Sequence, residues 1–175
     1  MSIAPERFRS LIETHQKMVF SIALRVTGDY GAAEEVAQDV FLELYRGSER
    51  LESEDHIRFW LRRVSVHRAT DALRRKSRQP ESAAEEWLEE QHPPSATAPA
   101  SAGVSPEVET RLEDLLHTLP EAMRVVIVLR YQEDMLPDEI ATLLRQPVAT
   151  VKSNLQRGLQ LMRRKAEVTL KEYVR

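Results

Sequence analysis

Residues 138–165 read DEIATLLRQPVATVKSNLQRGLQLMRRK and decide the fold of the second half of the chain. Apolar residues recur at helical spacing on both sides of a break at residues 145–147, which predicts a short helix, a tight turn and a longer helix. This arrangement is a helix-turn-helix, whose second helix enters the DNA major groove. The apolar set that would hold the two helices together is Ile140, Leu143, Leu144, Val151, Leu155, Leu159 and Met162.

The longer helix of this motif carries candidate DNA-reading side chains opposite its apolar set. No acidic residue interrupts the stretch from Ala149 to Ala166. Hydroxyl, amide and basic side chains of this kind contact base edges and phosphates. A solvated face on an ordinary helical bundle is the alternative interpretation. The candidates are Thr150, Lys152, Ser153, Gln156 and Arg157.

Two further helices are predicted between residue 107 and this motif. Pro120 ends the first, because the residue before a proline disfavours helical backbone, and the second continues to Tyr131. Pro137 opens the helix-turn-helix, since proline is tolerated at the first helical position. The apolar face of the first of these helices comprises Val108, Leu112, Leu115, Leu116 and Leu119.

The N-terminal block, residues 5–78, is predicted to hold three more helices. Gly28 and Asp29 end the first and cap the second, and a polar loop over residues 47–55 precedes the third. The residues predicted to face inward are Phe8, Leu11, Ile12, His15, Val19, Ile22, Ala23 and Val26 in the first helix, Ala33, Val36, Ala37, Val40, Phe41 and Leu44 in the second, and Ile57, Trp60, Leu61, Val64 and Ala72 in the third.

The third helix is also a candidate for binding single-stranded nucleic acid. Over residues 58–78 it has eight basic residues and one acidic residue, interleaved with aromatic rings. Guanidinium groups attract phosphates, and exposed aromatic rings stack on unpaired bases. Trp60 lies on the apolar face, which favours core packing over stacking. His67 has no second ligand at metal-binding spacing, so no metal site is expected.

A proline-rich stretch separates the two blocks. Residues 79–106 hold five of the 9 prolines, and residues 81–109 contain no Lys or Arg. This composition indicates an acidic spacer without a sustained apolar period. The chain is therefore predicted to be all-α, with two small helical domains at residues 5–78 and 107–175 joined by a flexible linker at 79–106.

The composition excludes several classes of protein. The 175 residues include no cysteine, which rules out disulfide frameworks and thiolate metal sites. No stretch approaches the roughly 18 consecutive apolar residues of a membrane span, and the N-terminus lacks an export pattern. No nucleophile–base set, phosphate loop or metal cluster indicates an enzyme or a cofactor. A cytoplasmic protein without membrane insertion is expected.

Three segments of the chain resemble the extracytoplasmic-function (ECF) sigma factors of the sigma-70 family. SIALRVTGDYGAAEEVAQDVFLELYR (residues 21–46) is similar to the opening of sigma region two, and HIRFWLRRVSVHRATDALRR (56–75) to the helix that recognises and melts the minus-ten promoter element. LPEAMRVVIVLRYQEDMLPDEIATLLRQPVATVKSNLQRGL (119–159) is similar to region four, which reads the minus-thirty-five element. The resemblance covers nearly everything outside the linker.

The resemblance implies partners, and roles for individual residues. The partners are core RNA polymerase, through its clamp helices and flap, promoter DNA, and in many members an anti-sigma factor; the free protein is expected to be a monomer. Residues 47–55 would capture a flipped base, and the helix-turn-helix candidates would contact the minus-thirty-five element. Polymerase contacts are implied at Glu34, Glu35, Gln38, Asp39 and Leu42, and minus-ten DNA contacts at Arg62, Arg63, His67, Arg68, Asp71, Arg74 and Arg75.

Five positions depart from the family's usual residues. His67 stands where Asn is common, and Leu136 replaces a usual Ser cap. Arg145 replaces a glycine in the turn, where a positive φ would cost a non-glycine residue about 1 kcal/mol or more. Asn154 and Gln156 stand where Arg and His are frequent. The preferred promoter sequences therefore cannot be inherited from relatives.

These observations predict a sigma factor that binds core polymerase, recognises both promoter elements and opens the minus-ten region, leaving RNA synthesis to the polymerase. Isolated factor should bind duplex DNA weakly, because two tethered domains lose freedom on binding without the polymerase to fix their spacing. One alternative is a helix-turn-helix regulator that binds a palindromic site as a dimer without polymerase. Another is a helical adaptor that binds only proteins, through its acidic second helix.

Overall fold

The computed structural model describes residues 3–47, 51–78 and 105–173, and every regular element in these ranges is helical, as the sequence predicts. Within the described part of the chain, no helix is both long and apolar enough to span a membrane. The helices are α1 (Pro5–Thr27), α2 (Tyr30–Gly47), α3 (Glu54–Arg78), α4 (Pro106–His117), α5 (Glu121–Ile127), which continues as a π-helical turn (Val128–Gln132), α6 (Pro137–Leu144) and α7 (Val148–Tyr173).

Helices α1, α2 and α3 pack pairwise into the first domain. The predicted junction between α1 and α2 is confirmed. Gly28 ends α1 in left-handed backbone with φ 73°, and its N–H donates to the Leu24 carbonyl at 2.8 Å. Asp29 then caps α2, because its Oδ1 accepts the Ala32 N–H at 2.8 Å. That hydrogen bond lowers the pKa of Asp29.

The inward face of α3 differs in part from the sequence prediction. Ile57 and Leu61 are buried as expected, whereas Trp60, Val64 and Ala72 are only partly buried against the core. Helix α3 packs on α1 and α2 and also contacts α6 of the second domain, so its buried surface is wider than one apolar stripe. The additional buried residues on this helix are Ser65, Val66 and Ala69.

The second domain is built around α5 and α7, with α6 packed on α7. Pro120 precedes α5 and Pro137 opens α6, as predicted. The prediction for α4 was wrong in its first turns: Val108 and Leu112 are 47% and 48% exposed, because burial on that helix is confined to its C-terminal turn around Leu116. The buried core of the domain includes Leu119, Val125, Val126, Ile127, Leu129, Ile140, Leu143 and Val151.

The two domains pack against each other, with α4 and α5 contacting α1 and α6 contacting α3. Arg124, on α5, is buried at this junction. Its guanidinium donates to the Val26 carbonyl of α1 at 2.6 Å and to the carbonyls of His117 and Leu119 at 2.7 and 3.1 Å. Burial lowers the pKa of Arg124. One arginine therefore satisfies three carbonyl groups that lie at the ends of α1 and α4.

Candidate nucleic-acid interface

One face of α2 is acidic and exposed. Its inward residues Val36, Val40 and Leu44 lie in the core, which directs the opposite side of the helix to solvent. Leu42 is 50% exposed among these acids, and it is one of several large apolar side chains that are exposed in the described part of the chain. All five residues that the resemblance assigns to polymerase binding share this exposed face: Glu34, Glu35, Gln38, Asp39 and Leu42.

The basic side chains of α3 differ in the partners that they contact. Arg68 donates from Nε and Nη2 to one carboxylate oxygen of Glu43 on α2, at 3.2 and 2.7 Å, and this contact raises the pKa of Arg68. His67 lies 3.5 Å from Asp71, one helical turn further along. Arg75 is exposed. Together with Arg63 and Arg74, these side chains follow one side of α3.

Arg62 contacts the second domain in this structure. Its Nε donates to Glu133 Oε2 at 2.9 Å, and its Nη2 donates to the Glu133 carbonyl at 3.3 Å. The Arg62 side chain is 20% exposed and that of Glu133 only 8%. A residue that the sequence presents as a DNA contact is therefore paired with a carboxylate from the other domain.

A cleft of about 690 Å³ runs between α3 and the second domain. Arg63, Arg74 and Trp60 line its α3 side, and Arg145 and Gln146, in the turn of the helix-turn-helix, line the opposite side. At one edge Arg74 Nη2 donates to Glu121 Oε1 on α5 at 3.1 Å. The candidate minus-ten reader and the turn of the helix-turn-helix thus face the same cleft.

Helices α6 and α7 form the predicted helix-turn-helix. Arg145 ends α6 with φ 54°, so the turn keeps left-handed backbone although an arginine replaces the usual glycine. Leu136 offers no side-chain cap, but its backbone N–H donates to Glu139 Oε2 at 2.7 Å, which is half of a capping box. Ile140 and Val151 are buried between the helices. On α7, Thr150, Lys152, Gln156 and Arg157 are exposed and Ser153 is half-buried.

The predicted base-capture loop lies only partly within the described residues. Helix α2 extends to Gly47 and α3 begins at Glu54, so residues 51–53 are the described part of the loop and residues 48–50 fall outside it. Glu54 is held at 2.8 Å from Nε2 of His15, a buried residue of α1. This contact fixes the first turn of α3 to α1.

Sequence reasoning missed the residues that join the domains. They are Arg25, Arg124, Gln132 and Glu133, together with His117, whose ring packs against Gly28. Burial, and then the positive charge of Arg124, lower the pKa of His117. One feature of the sequence could have identified Arg124 as a buried contact. It directly precedes the apolar run Val125–Leu129, where a charged side chain must find buried partners.

Two regions of one protein family match the chain. Residues 11–79 match Sigma-70 region 2, and residues 109–162 match Sigma-70, region 4. The ECF RNA polymerase sigma factor SigW of Bacillus subtilis is 27% identical over 165 residues, which are 91% of this chain and 88% of SigW. The RNA polymerase sigma-H factor of Pseudomonas aeruginosa is 27% identical over 171 residues, covering 94% and 89% of the two chains.

A solved structure shares the fold over both domains. The sigma factor RpoE, in complex with the anti-sigma factor NepR from Bartonella quintana, superposes with a TM-score of 0.72 at 16% identity, over 93% of this chain and 98% of that chain. Regions two and four, in this order, define an initiation subunit of RNA polymerase. The chain belongs to the sigma-70 family, as an RNA polymerase sigma factor of the ECF group. The function predicted from the sequence is thereby confirmed, and a regulator that acts without polymerase is not favoured.

Proposed function

We propose that this sigma factor uses three separate surfaces for three binding functions. Each surface consists of the residues that were inferred from the sequence. The exposed face of α2 binds the clamp helices of core polymerase, α3 and the loop before it recognise and open the minus-ten element, and α7 reads the minus-thirty-five element. The division corresponds to domains at residues 5–78 and 107–175 and a linker at 79–106. The observation that carries the proposal is the exposed acidic face of α2, which also exposes Leu42.

In this proposal the chain contributes binding energy and no catalysis of its own. RNA synthesis remains with the polymerase, and the factor acts in the cytoplasm as a monomer until it binds core enzyme. Trapping an extruded base must offset a few kcal/mol of lost stacking, which favours a mechanism that uses the polymerase to hold both domains on DNA.

We further propose that an anti-sigma factor regulates the chain. The related RpoE was solved in complex with the anti-sigma factor NepR. An inhibitor of this kind would act by covering the polymerase-binding face of α2 or the DNA-binding faces of α3 and α7. Co-purification of the factor with a protein that blocks its binding to core polymerase would support this.

The test of function is promoter selection in a defined transcription system. Purified factor and sigma-free core polymerase are incubated with a random promoter library, and templates that yield a factor-dependent run-off transcript are sequenced. Two sequence boxes at fixed spacing upstream of a defined start are the expected result. Absence of any factor-dependent transcript, with polymerase and factor both folded, would overturn the proposal.

The α2 surface is tested separately by charge reversal. Asp39→Arg should weaken binding to core polymerase at least tenfold, because like charges placed across an interface cost several kcal/mol. Glu6→Arg, at an exposed position in the first turn of α1, is the matched control. Equal affinities for the two variants would contradict the assignment of α2.

A further inference from the structure

Four side chains form a continuous hydrogen-bonded network across the two domains, which we call the interdomain clasp: Arg25, Gln132, Glu133 and Arg62. Arg25 Nη1 donates to Gln132 Oε1 at 2.6 Å, and Gln132 Nε2 donates to Glu133 Oε1 at 2.9 Å. The other carboxylate oxygen of Glu133 accepts from Arg62 Nε at 2.9 Å. The second domain is thus tied to both α1 and α3 by one linked set of contacts.

The burial of the clasp distinguishes it from an ordinary surface ion pair. Glu133 is 8% exposed and Arg62 is 20% exposed, so salt and water screen the pair weakly. Arg62 also donates to the Glu133 backbone carbonyl at 3.3 Å. If either partner were removed, the other charge would remain unpaired in a partly desolvated site, which is unfavourable. The packed arrangement therefore depends on the pairing of Arg62 with Glu133.

The carboxylate of Glu133 binds the guanidinium of Arg62 in the way that a DNA phosphate would. Carboxylates and phosphates both accept hydrogen bonds from the planar donor set of arginine. Glu121 makes a similar contact with Arg74 at the edge of the cleft, at 3.1 Å. Two acids of the second domain therefore pair with two arginines that the proposed function assigns to minus-ten DNA.

The packed arrangement of the two domains is also too compact for them to contact both promoter elements at once. Elements centred about 25 base pairs apart are separated by about 85 Å along the helix axis, at about 3.4 Å per base pair. In this structure the α3 side chains and the turn of the helix-turn-helix line one cleft. The domains must separate before they can occupy the two elements together.

We propose that the clasp holds the free factor in a self-closed state, in which Glu133 competes with DNA for Arg62 and the second domain covers part of the minus-ten reader. Core polymerase and promoter DNA open this state by binding the separated domains. The inference rests on the proposed function for the role of Arg62 in DNA binding, whereas the closed state itself is measurable without polymerase.

The first readout is the separation of the domains. The chain has no cysteine, so Lys17→Cys and Arg164→Cys provide two unique labelling sites, at exposed positions on α1 and α7. Electron spin resonance distances on the free protein should show one short population. Glu133→Gln should add a longer population, since it removes the negative charge that Arg62 faces. Glu107→Gln, which removes an exposed acid of α4, is the matched control.

The second readout is binding of free factor to a fluorescein-labelled, mixed-sequence single-stranded oligonucleotide. Glu133→Gln should tighten binding about threefold to tenfold relative to Glu107→Gln, because the apparent affinity scales with the open fraction. Arg25→Gln breaks the clasp from α1 without touching the DNA-binding residues and should act in the same direction. Circular dichroism melting of each variant verifies that the domains remain folded.

The outcomes separate this inference from the proposed function. Distances and DNA affinities of Glu133→Gln and Arg25→Gln that equal those of the control would overturn the clasp, as would wild-type protein that is already extended. Opening without tighter DNA binding would overturn the competition with DNA. Failure of the wild type to transcribe with core polymerase would instead refute the proposed function and leave the distance measurement valid.

Discussion

Arg145, in the turn between α6 and α7, adopts left-handed backbone with φ 54°. A β-carbon disfavours this region by about 1–2 kcal/mol, and glycine does not. We predict that Arg145→Gly raises the free energy of unfolding by about 1 kcal/mol, measured by urea denaturation. Asp134 has φ 52° and is the matched position. Aspartate tolerates this backbone, so Asp134→Gly should gain less; the reverse order would contradict the strain at Arg145.

His117 makes the closed structure sensitive to acid. Its Nδ1 has no hydrogen-bond partner within the described residues, its ring lies against Gly28 of α1, and Arg124 and Asp114 are the charges that act on it. Burial and Arg124 lower its pKa below the ordinary 6.5. As the pH falls below 6.5, the unfolded or opened form therefore takes up a proton that the closed form resists, and stability falls.

We therefore predict that the melting temperature falls between pH 7.5 and 5.5 and that His117→Asn reduces this slope. Thermal unfolding followed by circular dichroism measures both. His56 is exposed, and His56→Asn serves as the control that should leave the slope unchanged. Identical slopes for wild type and His117→Asn would show that protonation of His117 does not limit stability.

Some residues could be placed from the sequence because their signals are local. Gly28, Asp29 and Arg145 lie at helix ends, where backbone conformation and capping depend on immediate neighbours. Arg124 and Glu133 could not be placed in this way. The carbonyl that Arg124 reaches on α1 lies 98 residues earlier in the chain, and Glu133 pairs with an arginine 71 residues away.

At the scale of elements, helix bounds followed prolines and caps, whereas the buried faces depended on tertiary packing. Pro120 and Pro137 stand where the sequence predicts helix starts. The exposed Val108 and the buried Ser65 depart from the predicted faces, because α4 packs only near its C-terminal end and α3 packs on both domains. Periodicity indicates that a helix has an apolar side, but it cannot say how many neighbours will cover it.

The crossing of α5 and α7 depends on Gly158. A β-carbon there would lie 2.7 Å from Ile127 Cδ1 and 3.3 Å from Met123 Cβ. We predict that Gly158→Leu lowers the free energy of unfolding by about 1–3 kcal/mol through overpacking. Gly158→Ala should remain within about 1 kcal/mol of wild type, since its gain in helix propensity offsets a small shift of the flexible Ile127 tip. Urea denaturation distinguishes these outcomes, and a fully stable Gly158→Leu would contradict the close packing.

At the scale of the whole molecule, we expect the length of the proposed linker to limit whether both promoter elements can be reached together. The 26 residues 79–104 span at most about 90 Å when fully extended. Deleting residues 93–102, PPSATAPASA, removes no charge and leaves about 55 Å. We predict that this deletion strongly reduces transcription from promoters that require both elements, measured by run-off assay.

The control for this deletion replaces residues 93–102 with ten Gly and Ser residues, which preserves the reach and the acidic residues of the linker. Its transcription should be close to that of wild type. Equal activity of the deletion and the replacement would show that reach through these residues does not limit promoter binding.

The clasp has a consequence for how such proteins can be recombined. Because Glu133 and Gln132 in one domain are matched to Arg62 and Arg25 in the other, replacing one half alone would leave these side chains without their partners. A chimera that takes its second half from a relative lacking these partners could keep both of its DNA-reading surfaces. It would lose the contacts between the domains that, in our proposal, hold the free protein in the self-closed state. The two halves of this factor are therefore not freely interchangeable.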